Sequence, residues 1–285
     1  MSTVSTEFVR LELAVNGLTF DALALGPEQG ELVLFLHGFP QFANAWTAMM
    51  EPLAATGFRT VAVDQRGYSP GARPDGVESY RIDHLVADVV GLLDALDIDT
   101  VHLVGHDWGS IVAWCVAARH PGRVTSLTTV SVPHPAAFGW ALREDVDQQQ
   151  RSSYIQFLRT EGKAEHVLLR DDAQRLRAVF GDVVSSELVN EHVGLLSEPG
   201  ALTAALNWYR AMTKDFEATP AVTVPTTYVW STGDLELGRA GAEKCGEFVD
   251  APYEFVVLDG ATHWIPEECP EALAKAILDR ARAAG

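Results

Sequence analysis

Asp107 stands where a chain lifts a reactive side chain out of a sheet. It lies in Gly105-His106-Asp107-Trp108-Gly109, between an apolar, β-branched run at residues 100–104 and a helix-like run at residues 110–120. Strand, tight turn and helix make a nucleophile elbow, in which small flanking residues let the backbone take a strained turn that raises one side chain. A serine raised in this way attacks a carbonyl. A carboxylate instead suits an electrophilic sp³ carbon, leaving an ester on the protein. The substrate must then offer a carbon with a leaving group, such as an epoxide or an alkyl halide. The helix that opens at the elbow favours negative charge at its first turn.

An ester route needs three further parts: a group to stabilise the leaving oxygen or halide, a base to activate water, and donors to hold the tetrahedral oxyanion. For the base, His263 follows the last apolar strand-like run in Gly260-Ala261-Thr262-His263, where a neutral imidazole is matched to taking a proton from water. Asp234, in Ser231-Thr232-Gly233-Asp234 after the run 226–230, is the expected orienting acid, with Glu236 as its competitor. Ser131 and Val132 occupy the other place where such an acid could sit and cannot serve. The oxyanion donors would be the backbone N–H groups of Phe39 and Trp108. In His37-Gly38-Phe39-Pro40, Gly38 permits close approach and Pro40 suits a cis peptide in a tight turn. His37, Phe39, Trp108 and Trp264 are the expected pocket wall; Trp140 could add apolar lining, with core packing the better reading for at least some of these aromatic residues. His37 and His134 read as structural hydrogen-bonders rather than bases, His106 as wall and packing, and Glu267-Glu268 as a solvated face. No metal site and no cofactor are expected.

The elements that must position these residues follow from periodicity. Residues 8–15 and 18–25 alternate apolar with polar around Asn16-Gly17, a two-residue hairpin signal. Runs at 32–36, 60–63, 100–104, 124–130, 226–230 and 253–258 read as buried strands. Helices are expected at 44–55, after Ser79 as an N-cap, at 110–120, 239–248 and 270–283, the last with Pro270 in its first turn. This alternation predicts an α/β fold: a mostly parallel central sheet with an N-terminal antiparallel hairpin, helices on both faces, and the site at the carboxyl ends of the strands. Residues 134–219 break the rhythm with polar, helix-like segments, including 171–180 and 200–212. They read as an inserted helical cap on a core made of residues 1–133 and 220–285.

With 285 residues, 47% of them hydrophobic, the chain can bury one large core. A formal net charge of −18 argues against nucleic acid and anionic membrane surfaces, which are met with clustered Lys and Arg. Three cysteines without a C-x-x-C pair fit neither a disulfide framework nor a thiolate metal site, and point to a reduced cytoplasm. No apolar run reaches the roughly 18 residues of a membrane span, and the first nine residues lack the features of an export signal. Nothing here sets the oligomeric state.

Four segments together, His37-Gly38-Phe39-Pro40, Asp64-Gln65-Arg66-Gly67-Tyr68-Ser69, Gly105-His106-Asp107-Trp108-Gly109 and Val132-Pro133-His134-Pro135, resemble the α/β-hydrolase-fold epoxide hydrolases. The resemblance runs from about Val9 to the C-terminus. In the cap, Asn207-Trp208-Tyr209-Arg210 resembles that family's second ring-opening tyrosine segment, and Tyr154 falls where the first would. The resemblance implies a small apolar epoxide and water as substrates, and an alkyl-enzyme ester on Asp107. A neutral phenol, with a pKa of about 10, can donate to the opening epoxide oxygen. A haloalkane dehalogenase would share the aspartate and histidine. Those enzymes typically place a halide-binding Asn after His-Gly, however, and Phe39 has no side-chain donor. A defluorinating relative would show cationic residues near the elbow, and a serine esterase would show serine in it. A hydrolase-fold protein that only binds a small ligand would need no base.

Overall fold

The computed structural model describes residues 7–284. β1 (Val9–Val15) and β2 (Leu18–Leu25) pair antiparallel. Asn16 and Gly17 join them with φ of 52° and 77°, the two positive angles a tight hairpin turn of this twist demands. β2 then pairs antiparallel with β4 (Arg59–Val63), beside β3 (Leu32–Leu36), β5 (Val101–His106), β6 (Val124–Val130), β7 (Thr226–Ser231) and β8 (Tyr253–Leu258), all parallel. The strand order is β1-β2-β4-β3-β5-β6-β7-β8.

α1 (Thr47–Ala55), α2 (Ile82–Ala95) and α3 (Trp108–Arg119) accompany the first strands. Between β6 and β7 come α4 (Pro135–Glu144), α5 (Val146–Arg151), α6 (Tyr154–Leu158), α7 (Lys163–Val179), α8 (Ser186–Leu196) and α9 (Ala201–Ala211), with no named strand among them. α10 (Arg239–Lys244), α11 (Ile265–Glu268) and α12 (Pro270–Ala284) close the chain. Strand periodicity divides the core. Leu34 and Leu36 face a cluster with Val112 and Trp114 of α3, while Val33 and Phe35 face Met49 and Leu53 of α1 and Ile277 of α12. Among the described residues no helix is long and apolar enough to cross a membrane.

Two expectations fail locally. Ser79 does not cap α2: its hydroxyl donates to the Asp75 carbonyl at 2.8 Å inside a 3₁₀ turn, and the helix begins at Ile82 after an extended Arg81. The helix expected at 171–180 starts earlier, at Lys163, and is interrupted where Asp171, Asp172 and Ala173 take φ of 54–57°.

Two polar links tie the helical excursion to the sheet. His134 accepts the Ala136 N–H at Nδ1 and donates from Nε2 to the Pro220 carbonyl at 3.1 Å, joining the start of the excursion to its end. Arg66 forms a two-pronged pair with Asp88 of α2 at 2.6 and 2.7 Å, and the Arg66 carbonyl accepts the Trp208 indole N–H at 2.8 Å.

Candidate active site

The carboxyl ends of β3, β5, β7 and β8 each deliver one loop to the same place. Asp107 follows β5 with φ 52° and ψ −120°, a backbone geometry that costs about 1–3 kcal/mol and persists only where the surroundings hold it. Its surroundings do so. A Cβ on Gly38 would overlap the Asp107 carboxylate, and one on Gly109 would overlap the backbone leaving β3, so both glycines are required by close approach. The Phe39 N–H donates to Asp107 Oδ1 at 2.7 Å, just before a cis Phe39–Pro40 peptide. Trp108, the first residue of α3, contributes an N–H from the turn that has no acceptor within the helix.

The other carboxylate oxygen, Asp107 Oδ2, is 3.7 Å from His263 Nε2. On its far side the imidazole Nδ1 meets Asp234 Oδ2 at 2.9 Å, whereas Glu236 comes only to 3.9 Å. Of the two acids, Asp234 is therefore the one hydrogen-bonded to the ring. Its second oxygen accepts the N–H groups of Glu236 and Leu237 at 2.8 and 2.9 Å. Burial would raise Asp234, but His263 and these two N–H groups outweigh it and hold the carboxylate below its usual range. For His263, burial would favour the neutral ring. Asp234, Asp107 and Glu236 reverse this and hold it well above the usual histidine range. Asp234, Glu236 and His263 also bring three metal-type donor atoms together, yet an ion there would have to displace the Asp234–His263 hydrogen bond.

A cavity of about 350 Å³ opens over Asp107 and His263. Its floor includes Phe39 and Trp264, and its roof comes from the excursion: Tyr154, Phe157, Leu168, Val179 and Tyr209. Trp108 lines a narrower cleft that shares Asp107, Tyr154 and Tyr209 with it. The Tyr209 ring stands edge-on to Phe39 and Trp108, 5.5 and 5.2 Å between centroids. Burial first, and the Asp107 charge second, push both tyrosine phenols well above their usual range, so both are neutral.

Three expectations need correction. His37 is not on the cavity wall. It is fully buried behind the loop, donating from Nδ1 to the Gly38 carbonyl at 2.9 Å and accepting the Gln65 N–H at Nε2. Trp140 lies elsewhere, with the Lys244 ammonium 4.8 Å above its ring. Glu267 is no solvated face. Its carboxyl is bonded to Gln41, and burial pushes it up to about 8, while Glu268 alone is exposed.

Sequence reasoning also missed what supports His263 from behind. The fully buried His106 ring donates from Nε2 to the His263 carbonyl at 2.9 Å, Ser131 Oγ donates to the same oxygen at 3.3 Å, and Gln41 stands between His106 Nδ1 and Glu267. The available signal was position alone: Gln41 directly follows the His37-Gly38-Phe39-Pro40 motif, and His106 directly precedes the nucleophile.

Comparison with known proteins agrees with this geometry. The family described as alpha/beta hydrolase fold matches residues 31–270. The chain is 34% identical to the AB hydrolase superfamily protein YfhM of Bacillus subtilis (strain 168), over 98% of each chain. It is 31% identical to epoxide hydrolase 3 of Xenopus tropicalis, over 93% of this chain and 75% of that one. The crystal structure of Bacillus megaterium epoxide hydrolase in complex with an inhibitor superposes with a TM-score of 0.87 at 28% identity, covering 95% of this chain and 100% of that one. By its fold and these relatives, the chain belongs to the epoxide-hydrolase family of α/β-hydrolase-fold enzymes.

Proposed function

We propose that this protein hydrolyses a small apolar epoxide to a vicinal diol through an ester on Asp107, with residues 134–219 acting as the cap that closes the site. One observation carries the reading: a single carboxylate has one oxygen on a backbone donor, the other facing an oriented histidine, and two neutral tyrosines roofing the same cavity.

The charges balance at each step. In the resting site Asp107 is anionic and His263 cationic. Asp107 attacks a ring carbon, the C–O bond breaks, and the oxygen takes a proton from Tyr154 or Tyr209. The tyrosinate recovers a proton, through water, from His263. Alkylation itself favours this transfer, because Asp107 has lost the charge that helped hold the imidazolium. The now neutral His263, oriented by Asp234, removes a proton from water as hydroxide adds to the ester carbonyl, whose oxygen is held by the Phe39 and Trp108 N–H groups. Collapse breaks the ester C–O bond, the leaving alkoxide takes the carboxyl proton, and the anion–cation pair is restored.

No metal or cofactor enters any step, and no nucleic-acid or membrane partner is needed. Cysteines that are all free suit a cytoplasmic setting. The dehalogenase reading gains nothing from the site, since Phe39 offers only its backbone N–H. A single turnover in ¹⁸O-water, with enzyme in excess over an aryl epoxide, tests the route. Diol free of label, with one label recovered in the Asp107 peptide, is expected; label in the first diol would mean direct attack by water.

A further inference from the structure

The donors and acceptors behind His263 fix the position of one further proton. A peptide carbonyl can only accept, so the 2.9 Å contact between His106 Nε2 and the His263 carbonyl requires a proton on Nε2. The His106 ring is fully enclosed, and burial pushes it down to about 4, so it is neutral and has no second proton. Nδ1 is then a bare lone pair. As placed, Gln41 turns its Oε1 to Nδ1 at 3.2 Å and its NH₂ to Glu267, which would set lone pair against lone pair, so the amide must be reversed to bring its NH₂ to Nδ1. The two ends of an amide are alike in size, and a half-turn exchanges them. With its NH₂ on His106, Gln41 presents its carbonyl oxygen to Glu267, and that contact holds only if the Glu267 carboxyl carries the proton.

A second observation agrees. Glu267 Oε2 is buried and has no protein donor among the described residues. That is tolerable for the carbonyl oxygen of a neutral acid and costly for a carboxylate. No described ion pair reaches Glu267. The titratable groups that face it are His263, His106 through Gln41, and Glu187 and Glu191 of α8 across a surface cavity of about 470 Å³, while Glu268 on its own helix turns out to Thr262. Asn44, Ala45, Thr47 and Ala48, lining that cavity from α1 and the turn before it, bear no charge.

We propose that Glu267 is a protonated positioning residue: its O–H donates to Gln41, Gln41 donates to His106 Nδ1, and His106 Nε2–H donates to the His263 carbonyl, so that one buried proton holds the peptide of the base. The chain of donors ends on that peptide, not on the imidazole, so it orients His263 without exchanging protons with it. The role in catalysis rests on His263 being the base; the proton's location does not.

The test therefore begins without substrate. Infrared spectra of the whole protein are compared with those of Glu267→Gln, and ¹⁵N-histidine spectra are taken of both. Expected is the C=O stretch of a protonated carboxyl near neutral pH, absent from Glu267→Gln and lost from the unmodified protein as pH rises through about 8, with His106 a neutral ring protonated on Nε2. No such difference band, or a doubly protonated His106, would overturn the proposal by placing the proton at the other end of the chain.

Linkage gives a second readout. A carboxyl raised in the folded state binds more protons there than when unfolded, between the usual glutamate range and about 8, so stability should fall across that window. Glu267→Gln should abolish that component, its amide donating as the acid does. The same variant should hydrolyse the ester within about twofold of the unmodified rate near neutral pH and lose the alkaline decline, whereas Glu267→Leu should slow that step about tenfold, a difference of about 1.4 kcal/mol. Equal pH profiles for Glu267→Gln and the unmodified protein would make Glu267 merely structural. If no epoxide is turned over, the spectra and the melting curves still decide where the proton lies.

Discussion

The floor and the roof of the cavity are held by different means. On the floor, Asp107, Asp234 and His263 sit on loops at strand ends, and each polar atom has a fixed partner at hydrogen-bond distance or, for the Asp107–His263 contact, 3.7 Å. On the roof, Tyr154 and Tyr209 ride on α6 and α9, held by aromatic edges and apolar packing. The floor is preorganised for charge, which needs exact partners because unpaired buried charge is costly. The roof is built for shape, which packing supplies without naming a direction for each atom. Substitutions on the two sides should therefore fail in different ways.

The largest effect is expected at the floor. Asp107→Asn should remove turnover by on the order of 10⁴-fold or more while leaving the melting temperature nearly unchanged, measured by steady-state diol formation beside thermal unfolding. Asp234→Asn should slow ester hydrolysis by on the order of 10²–10⁴-fold and ring opening far less, because the orienting acid serves the base. Single-turnover kinetics separates the two steps. On the roof, Tyr209→Phe and Tyr154→Phe should each slow ring opening by about 10²-fold and leave decay of the preformed ester alone. Equal loss in both half-reactions would erase the distinction between floor and roof. Val179→Ala, at a partly exposed residue of the cavity wall, should raise KM by about threefold with kcat unchanged, the signature of lost apolar contact.

The same contrast governs what was legible in the sequence. Strand and helix periodicity, the Asn16-Gly17 turn and the elbow are local patterns, and the sheet follows them from β1 to β8. That Asp107, Asp234 and His263 come together was legible because each ends or follows a strand, a position that local pattern encodes. Glu267 was not, because adjacent residues on a helix point about 100° apart, and only the packing of α11 shows that Glu267 turns inward while Glu268 turns out. Ser79 was misread for a related reason: a hydroxyl that can cap a helix can equally satisfy a nearby carbonyl, as it does at Asp75. His37 sits beside the nucleophile in chain logic, yet its backbone partners draw it behind the loop.

The central claim is that Asp107 becomes esterified and His263 releases it. Its most direct test is the intact mass of His263→Gln after brief exposure to an aryl epoxide and, separately, to a dibromoalkane, with the modified peptide mapped. The account predicts a gain equal to the whole epoxide on the peptide carrying Asp107, accumulating because the base is gone. An adduct of haloalkane less bromide with none from the epoxide, or no adduct from either, would contradict it.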